Sequence, residues 1–423
     1  MLLKFNFKNF KSFRDEVSLD LTATKITEFS DRNFEVGNIK VLPIASIFGA
    51  NASGKTNVIE AFRFMRKYIL DSFFEIESQM QESYDRIRTK AMPFLFDNIT
   101  KNSNSKFEVY FVLPNDESEK IYQYGFIVNE YLVKEEWLNY KTKTSREGFK
   151  TIYHRDSEKI EWKGIDSKIV KNIEVSLKEN VLIITLGAIL NEQLFINILN
   201  YFKYSNVINF GDSEEEYYVF QGAGRARYIL DKKYQEDMKK FLSSFDSSIV
   251  GISAEEYRSN IYRSQNEIHV YTHHKIIDSE EIMKLPMIFE SSGTQKMFNL
   301  YSFFRGSLLT GNALWIDELN LKLHPLLIRN IVQMYLNRDI NKLNAQLIFT
   351  SHDVWQLKSD IMRRDEIWFT EKAENGVSKL YSLSDFIDDA GEKIRKDEDY
   401  QKNYLLGKYG AIPNLKGFEG VFS

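Results

Sequence analysis

The sequence predicts an α/β fold with an inserted antiparallel β meander and a helical lobe. Three observations carry that expectation. The apolar run VLPIASIF (41–48) leads into the glycine-rich stretch GANASGKT and then into NVIEAFRFMRKYILDSFF, where apolar residues recur three and four apart. Between residues 106 and 163 the apolar period changes to two, and after about Gly293 helices and strands alternate again.

The chain of 423 residues, 43 % of them hydrophobic, is long enough for a main domain with a large insertion. A net charge of −4 and a pI near 6.0 supply no overall basic field, which argues against a protein that coats nucleic acid. Cysteine is absent, which excludes disulfides, a thiolate nucleophile and Cys-ligated zinc, and the six histidines are scattered. The opening MLLKFNFKNFKSF places a lysine every few residues and reads as a strand, not as the apolar core of a signal peptide. VLIITLGAIL (181–190) is about half as long as a bilayer span requires. A cytoplasmic protein with no membrane partner is the expectation.

Taken in order, LLKFNFKNF and VSLDLTA read as opening strands. VLPIASIF is apolar on both faces, as a covered central strand is. Residues 1–100 are assigned to the first part of the main domain. KFEVYFVL, IYQYGFIVN, LVKEEWLNYK, TIYHR and KIEWK, divided by PNDESEK, DSEK and other turn-rich pieces, form the meander, 101–165. Residues 166–250 read as helices around GDSEEEYYVFQGAGRA, a solvated loop by composition. The second part of the main domain, 251–423, holds the strands NEIHVYTHH and KLPMIFE. It continues with a helix from about Gly293, the strand ALWIDE, a helix opened by Pro325, and the strands QLIFTS and EIWFTE. The adjacent histidines of YTHH point to opposite faces of a strand and make a poor metal site. Phe62, Met65 and Ile69, with Phe73, form a stripe expected to be core.

Gly49, Ala50, Asn51, Ala52, Ser53, Gly54, Lys55 and Thr56 fit G-x-x-x-x-G-K-[ST] at every fixed position. Glycines let backbone N–H groups curl round phosphates, Lys55 neutralises them and the Thr56 hydroxyl reaches Mg²⁺. ATP and Mg²⁺ are therefore the expected ligands. ALWIDELN ends an apolar strand with Asp317, placed to hold the metal, and Glu318, placed to polarise the attacking water; alone, the pair reads equally as an acidic turn. His352 follows QLIFTS and is a candidate γ-phosphate sensor, though a lone histidine is more often structural. In FESSGTQKMFNL, Ser292 and Gly293 stand at a helix start with Gln295 and Lys296 in its first turn, either a second anion site or a cap without a ligand.

These residues resemble the ABC-type ATPases of the SMC and RecF lineage. The loop spelled with Asn51 and followed by Asn57, and the opening FKNFKSFRDE, carry that likeness. The resemblance implies an ABC/SMC-head-like P-loop NTPase. In that class Ser292, Gly293, Gln295 and Lys296 would form a signature acting in trans, capping the γ-phosphate of ATP held by a second copy. It further implies nucleotide contacts from Gly49, Asn51 to Lys55, Thr56 and Asn57, metal at Thr56 and Asp317, and catalysis by Glu318 with His352 as the switch histidine. His324 stands where transporters and SMC proteins have the aspartate of the dimer-contact loop, and Asn320 where defence-type relatives often carry Asp.

A narrower likeness rests on PFLFDN, YQYGFIV, VKEEWL, ESSGTQK, WIDELNLKLHPLL, LIFTSHD and YLLGKYGAIP. These resemble the RloA/AbiL-type ATP-binding proteins, relatives of the ATPase half of OLD-family and PARIS-type defence systems. That likeness implies abortive infection of phage, a self-associating ATPase, and a nuclease or toxin encoded nearby as effector. About 70 residues follow His352, without the acidic cluster of a Toprim nuclease. The alternative is a RecF-like repair ATPase that clamps DNA. Its sequence support is the mildly basic RARYILDKKYQEDMKK (225–240), which a solvated helix face explains equally well. A transporter-coupled subunit is disfavoured by the large antiparallel insertion.

Overall fold

The computed structural model describes residues 1–72, 90–114, 120–129, 132–144, 147–212, 227–258, 266–387, 391 and 393–413. Phe73, Arg225 and most of the expected loop GDSEEEYYVFQGAGRA lie outside the described residues.

Two sheets organise the chain. The first is antiparallel, seven strands in the order β10 (Ile160–Trp162), β9 (Lys150–Arg155), β8 (Leu132–Thr142), β7 (Lys120–Asn129), β6 (Ser105–Phe111), β1 (Leu2–Lys8) and β2 (Val17–Asp20). All five strands expected between 106 and 163 form. Their sheet also takes in the N-terminal strands, Phe5 opposite Val109 and Phe7 opposite Phe107. The second sheet has six strands, β11 (Val207–Asn209), β15 (Ala313–Asp317), β16 (Gln346–Thr350), β5 (Ile44–Gly49), β17 (Ile367–Lys372) and β18 (Ser378–Ser382), parallel except for β18. β12 (Ile249–Arg258), β13 (Asn266–Lys275) and β14 (Ile282–Pro286) make a third sheet, and β3 (Phe34–Val36) with β4 (Ile39–Val41) a small hairpin.

Side chains alternate across the parallel sheet and divide the interior in two. Ala45, Ile47, Trp315, Ile348 and Trp368 join one core, whereas Ile44, Phe48, Leu314, Ile316, Leu347, Phe349, Ile367 and Phe369 join the other. This two-sided burial is why these strands read as unbroken apolar runs. The first core lies between the sheets and is filled by α1 (Lys55–Asp71), whose Phe62, Met65 and Ile69 are fully buried. Phe62 stacks on Trp315 with ring centroids 4.2 Å apart. α3 (Ile183–Ile189) and α4 (Gln193–Tyr204) close that core, while α2 (Ser167–Ser176) lies alongside α3. The second core is covered by α5 (Lys232–Ser243), α6 (Ser292–Thr310), α7 (Pro325–Leu336) and α8 (Tyr400–Leu405). Gln346, at the start of β16, ties the two sheets: its amide accepts from Leu2 N (2.6 Å) and donates to Leu2 O (2.9 Å) and Leu42 O (3.0 Å).

The region after residue 166, expected to be helices around one loop, contains β11, three residues parallel to β15. Three residues are too few to display a period. Among the described residues no single helix is long and apolar enough to cross a membrane, and α3 and α4, apolar together, meet at 112°.

Candidate functional site: a phosphate loop beside an acidic strand end

β5 delivers the loop and α1 begins at Lys55. Both fixed glycines are required by their surroundings. A Cβ on Gly49 would lie 2.5 Å from Thr370 O and 2.7 Å from Ser53 Oγ, and one on Gly54, where φ is 114°, would lie 2.8 Å from Ser378 Oγ. Ser53 Oγ is 2.6 Å from Thr370 Oγ1, and Ser378 donates to Ser53 O at 2.7 Å. Asn57 donates to Ser12 Oγ (2.8 Å) and so braces the loop from the β1–β2 side. Asn51 and Ala52 form the exposed rim, and Thr56 is half-buried.

Lys55 is buried and curls over its own loop, its ammonium donating to Gly49 O at 2.8 Å and Ala50 O at 2.9 Å. Burial lowers its pKa to about 8, against the opposing pull of Asp317 and Glu318. A buried ammonium held by neutral carbonyls within a glycine cradle fits a nucleotide phosphate, which would replace those weak partners with full negative charge.

β15, β16 and β5 are neighbouring parallel strands, so their carboxyl ends lie side by side. Asp317 ends β15, fully enclosed, and accepts from Thr350 Oγ1 at the end of β16. Glu318 follows in the left-handed region, φ 53°, with its N–H donating to the same Thr350 Oγ1 at 2.8 Å. His352 lies two residues beyond β16, its N–H bonded to Asn320 Oδ1 at 3.0 Å. Partial desolvation and then the Lys55 ammonium hold the imidazole below the ordinary histidine range, against Glu318 and Asp317. Lys55, Asp317, Glu318 and His352 thus act on one another in one place.

Residues that the sequence did not mark complete this cluster. Thr350 orients both carboxylate residues. Asn209 of β11 stands opposite Asp317 in register, and its Oδ1 accepts from Gly211 N at 2.8 Å. Gly211 backs Glu318, since a Cβ there would lie 3.3 Å from the Glu318 carboxyl carbon. Thr350 was visible in LIFTSHD beside the histidine; for Asn209, Gly211 and Ser378 no local pattern exists.

α6 begins at Ser292 and is capped by Ser291, whose Oγ accepts from Thr294 N at 3.1 Å. Ser292 is exposed and Gly293 half-exposed. Gln295 donates to Glu290 O (2.7 Å) and Ile288 O (3.1 Å). Among the described residues, none of Ser292, Gly293 and Gln295 is hydrogen-bonded to the phosphate loop of its own chain. Lys296 faces inward, fully buried, donating to Leu319 O (3.2 Å) and Leu321 O (2.6 Å). His324 caps α7, its Nδ1 accepting from Leu326 N at 3.2 Å. His273 and His274 diverge as expected, to Ser253 Oγ (2.8 Å) and Glu290 Oε1 (2.8 Å).

Residues 44–354 match the family described as AAA domain, putative AbiEii toxin, Type IV TA system. The match opens with β5 and closes just past His352, so it spans the loop, α6 and the acidic strand end. Among solved structures the chain is similar to the SMC head domain from Thermotoga maritima, at 14 % identity over 90 % of this chain and 98 % of that one, TM-score 0.39. It is also similar to the recombination mediator protein RecF-ATPrS in the RecFOR pathway, at 13 % identity over 90 % and 98 %, TM-score 0.37. No curated protein matches it.

Proposed function

The chain belongs to the family described as AAA domain, putative AbiEii toxin, Type IV TA system, and from that premise we propose that it is an Mg²⁺-dependent ABC-type ATPase that works as a switch in anti-phage, abortive-infection defence. Two copies close on ATP, and the closed pair controls an effector such as a nuclease or toxin.

The observation that carries the ATPase reading is the convergence of Lys55, Asp317, Glu318 and His352 at the carboxyl ends of adjacent strands. Gly49 to Thr56 cradle the phosphates and Lys55 neutralises them. Thr56 and Asp317 would hold Mg²⁺, which supplies charge neutralisation on the phosphates when bound. Glu318, fixed through Thr350, takes the proton of the attacking water. Ser292, exposed at the start of α6, is free to reach nucleotide held by a second copy. The toxin named in the family description supports the defence role and the effector.

Glu318→Gln tests the chemistry. It should keep nucleotide binding, accumulate closed pairs and slow hydrolysis by about 10²–10⁴-fold; hydrolysis at the parental rate sinks the assignment of the base. Purification of the native complex with and without ATP tests the role. A co-purifying nuclease or toxin supports the switch, and nucleic acid alone favours DNA-clamping repair.

A further inference from the structure

Lys296 stands in the signature stretch, yet its side chain points into its own chain. Its ammonium is entirely removed from solvent and donates to Leu319 O at 3.2 Å and Leu321 O at 2.6 Å. These carbonyls belong to the turn that starts at Glu318, which Leu321 N closes by donating to Glu318 O at 3.0 Å. The same ammonium lies 3.9 Å from the centroid of the Phe210 ring. Phe210 precedes Gly211, the residue against which the Glu318 carboxylate rests. One cation therefore touches both walls of the socket that holds Glu318.

Ser292 and Gly293 lie about one helical turn before Lys296, so the exposed start of α6 and the Glu318 socket are joined by a single stiff turn. A charge is costly to bury where an apolar side chain of the same length would pack, unless its bonds fix something that matters. Here they fix a turn whose first residue has φ 53°.

We propose that Lys296 is a positioning residue that sets Glu318 for hydrolysis in its own chain, and so couples engagement of α6 by the second copy's nucleotide to chemistry at the first. The proposal rests on the paired-head reading above. Engagement of Ser292 shifts or stiffens α6, Lys296 carries this to the turn at 319–321, and Glu318 is brought to its working position.

Mixed pairs, co-expressed with two tags and purified through both, test it. One chain carries Glu318→Gln, which keeps nucleotide on both loops and leaves a single working Glu318. Lys296→Met is placed either on the chain that keeps Glu318 or on the other. On the first, kcat should fall at least about tenfold while nucleotide affinity stays within about twofold; on the second, neither should change. Loss confined to the second arm, equal loss in both, or loss in neither overturns the proposal. If Lys296→Met yields no soluble pairs, Lys296→Arg, which keeps the charge but displaces the donors, is read in the same two arms. Ser292→Arg on the Glu318→Gln chain reports on pairing separately. If hydrolysis survives it, the paired heads are wrong, while the first arm still reports on Lys296.

Discussion

Thr350 shows how a single hydroxyl ties the Asp317 carboxylate to the backbone of Glu318. It donates to Asp317 and accepts from Glu318 N, and a valine of the same shape does neither. Thr350→Val should cost about 1–3 kcal/mol in unfolding free energy and slow hydrolysis; an unchanged denaturation midpoint and rate would show the hydroxyl to be incidental. Lys55 makes a pH prediction. Its folded pKa is lowered to about 8, so above that value the unfolded chain binds more protons and ligand-free stability rises with pH toward the ordinary lysine value. Nucleotide phosphates need the charged ammonium. Affinity should therefore weaken by up to about tenfold per pH unit above 8, with a proton taken up on binding, measurable by calorimetry in buffers of different ionisation enthalpy. Affinity that stays flat across that range contradicts the assignment. Lys55 and Gly49 could be picked out in the sequence because G-x-x-x-x-G-K-[ST] fixes their spacing, and Asp317 because it ends an apolar strand. Thr350, Asn209 and Gly211 act through neighbours that only the folded sheet provides.

At the scale of elements, α6 separates stability from function within two adjacent serines. Ser291 caps the helix, and Ser291→Ala should lower stability by about 1 kcal/mol. Ser292 is exposed, and Ser292→Arg should leave the melting temperature in place while abolishing ATP-dependent pairing, read by light scattering; pairing that persists counts against the trans signature. α3 and α4 meet closely, since a Cβ on Gly187 would lie 2.0 Å from Phe195 Cδ2. Gly187→Ala should destabilise the chain by about 1–3 kcal/mol through overpacking, seen as an earlier denaturant midpoint. The meander was readable because period-two alternation runs through four of its five strands, which are 6 to 11 residues long. β11 and β18 were not foreseen: one is three residues long, and the other gains its meaning by pairing antiparallel with β17.

Across the whole molecule, the phosphate loop sits at the end of the parallel sheet that divides the two cores, and Gln346 is the knot between that sheet and the antiparallel one. Gln346→Leu strands Leu2 N, Leu2 O and Leu42 O in the interior, and unfolding should become easier by several kcal/mol, about 1–3 for each orphaned group. A calorimetric transition at the parental temperature would show the sheets to be held otherwise. The α/β architecture was legible because both ends of the chain alternate helix and strand. What joins those ends was not, since pairing of β5 with β16 and β17 is a matter of the fold alone.

That pairing has a consequence during synthesis. Ser53 of the loop and Thr370, on which its hydroxyl rests, are 317 residues apart. A nascent chain carries its nucleotide motif out of the ribosome early, but the strands that seat it on either side are among the later segments to emerge. Interrupted translation products would therefore carry the motif without the strands that seat it.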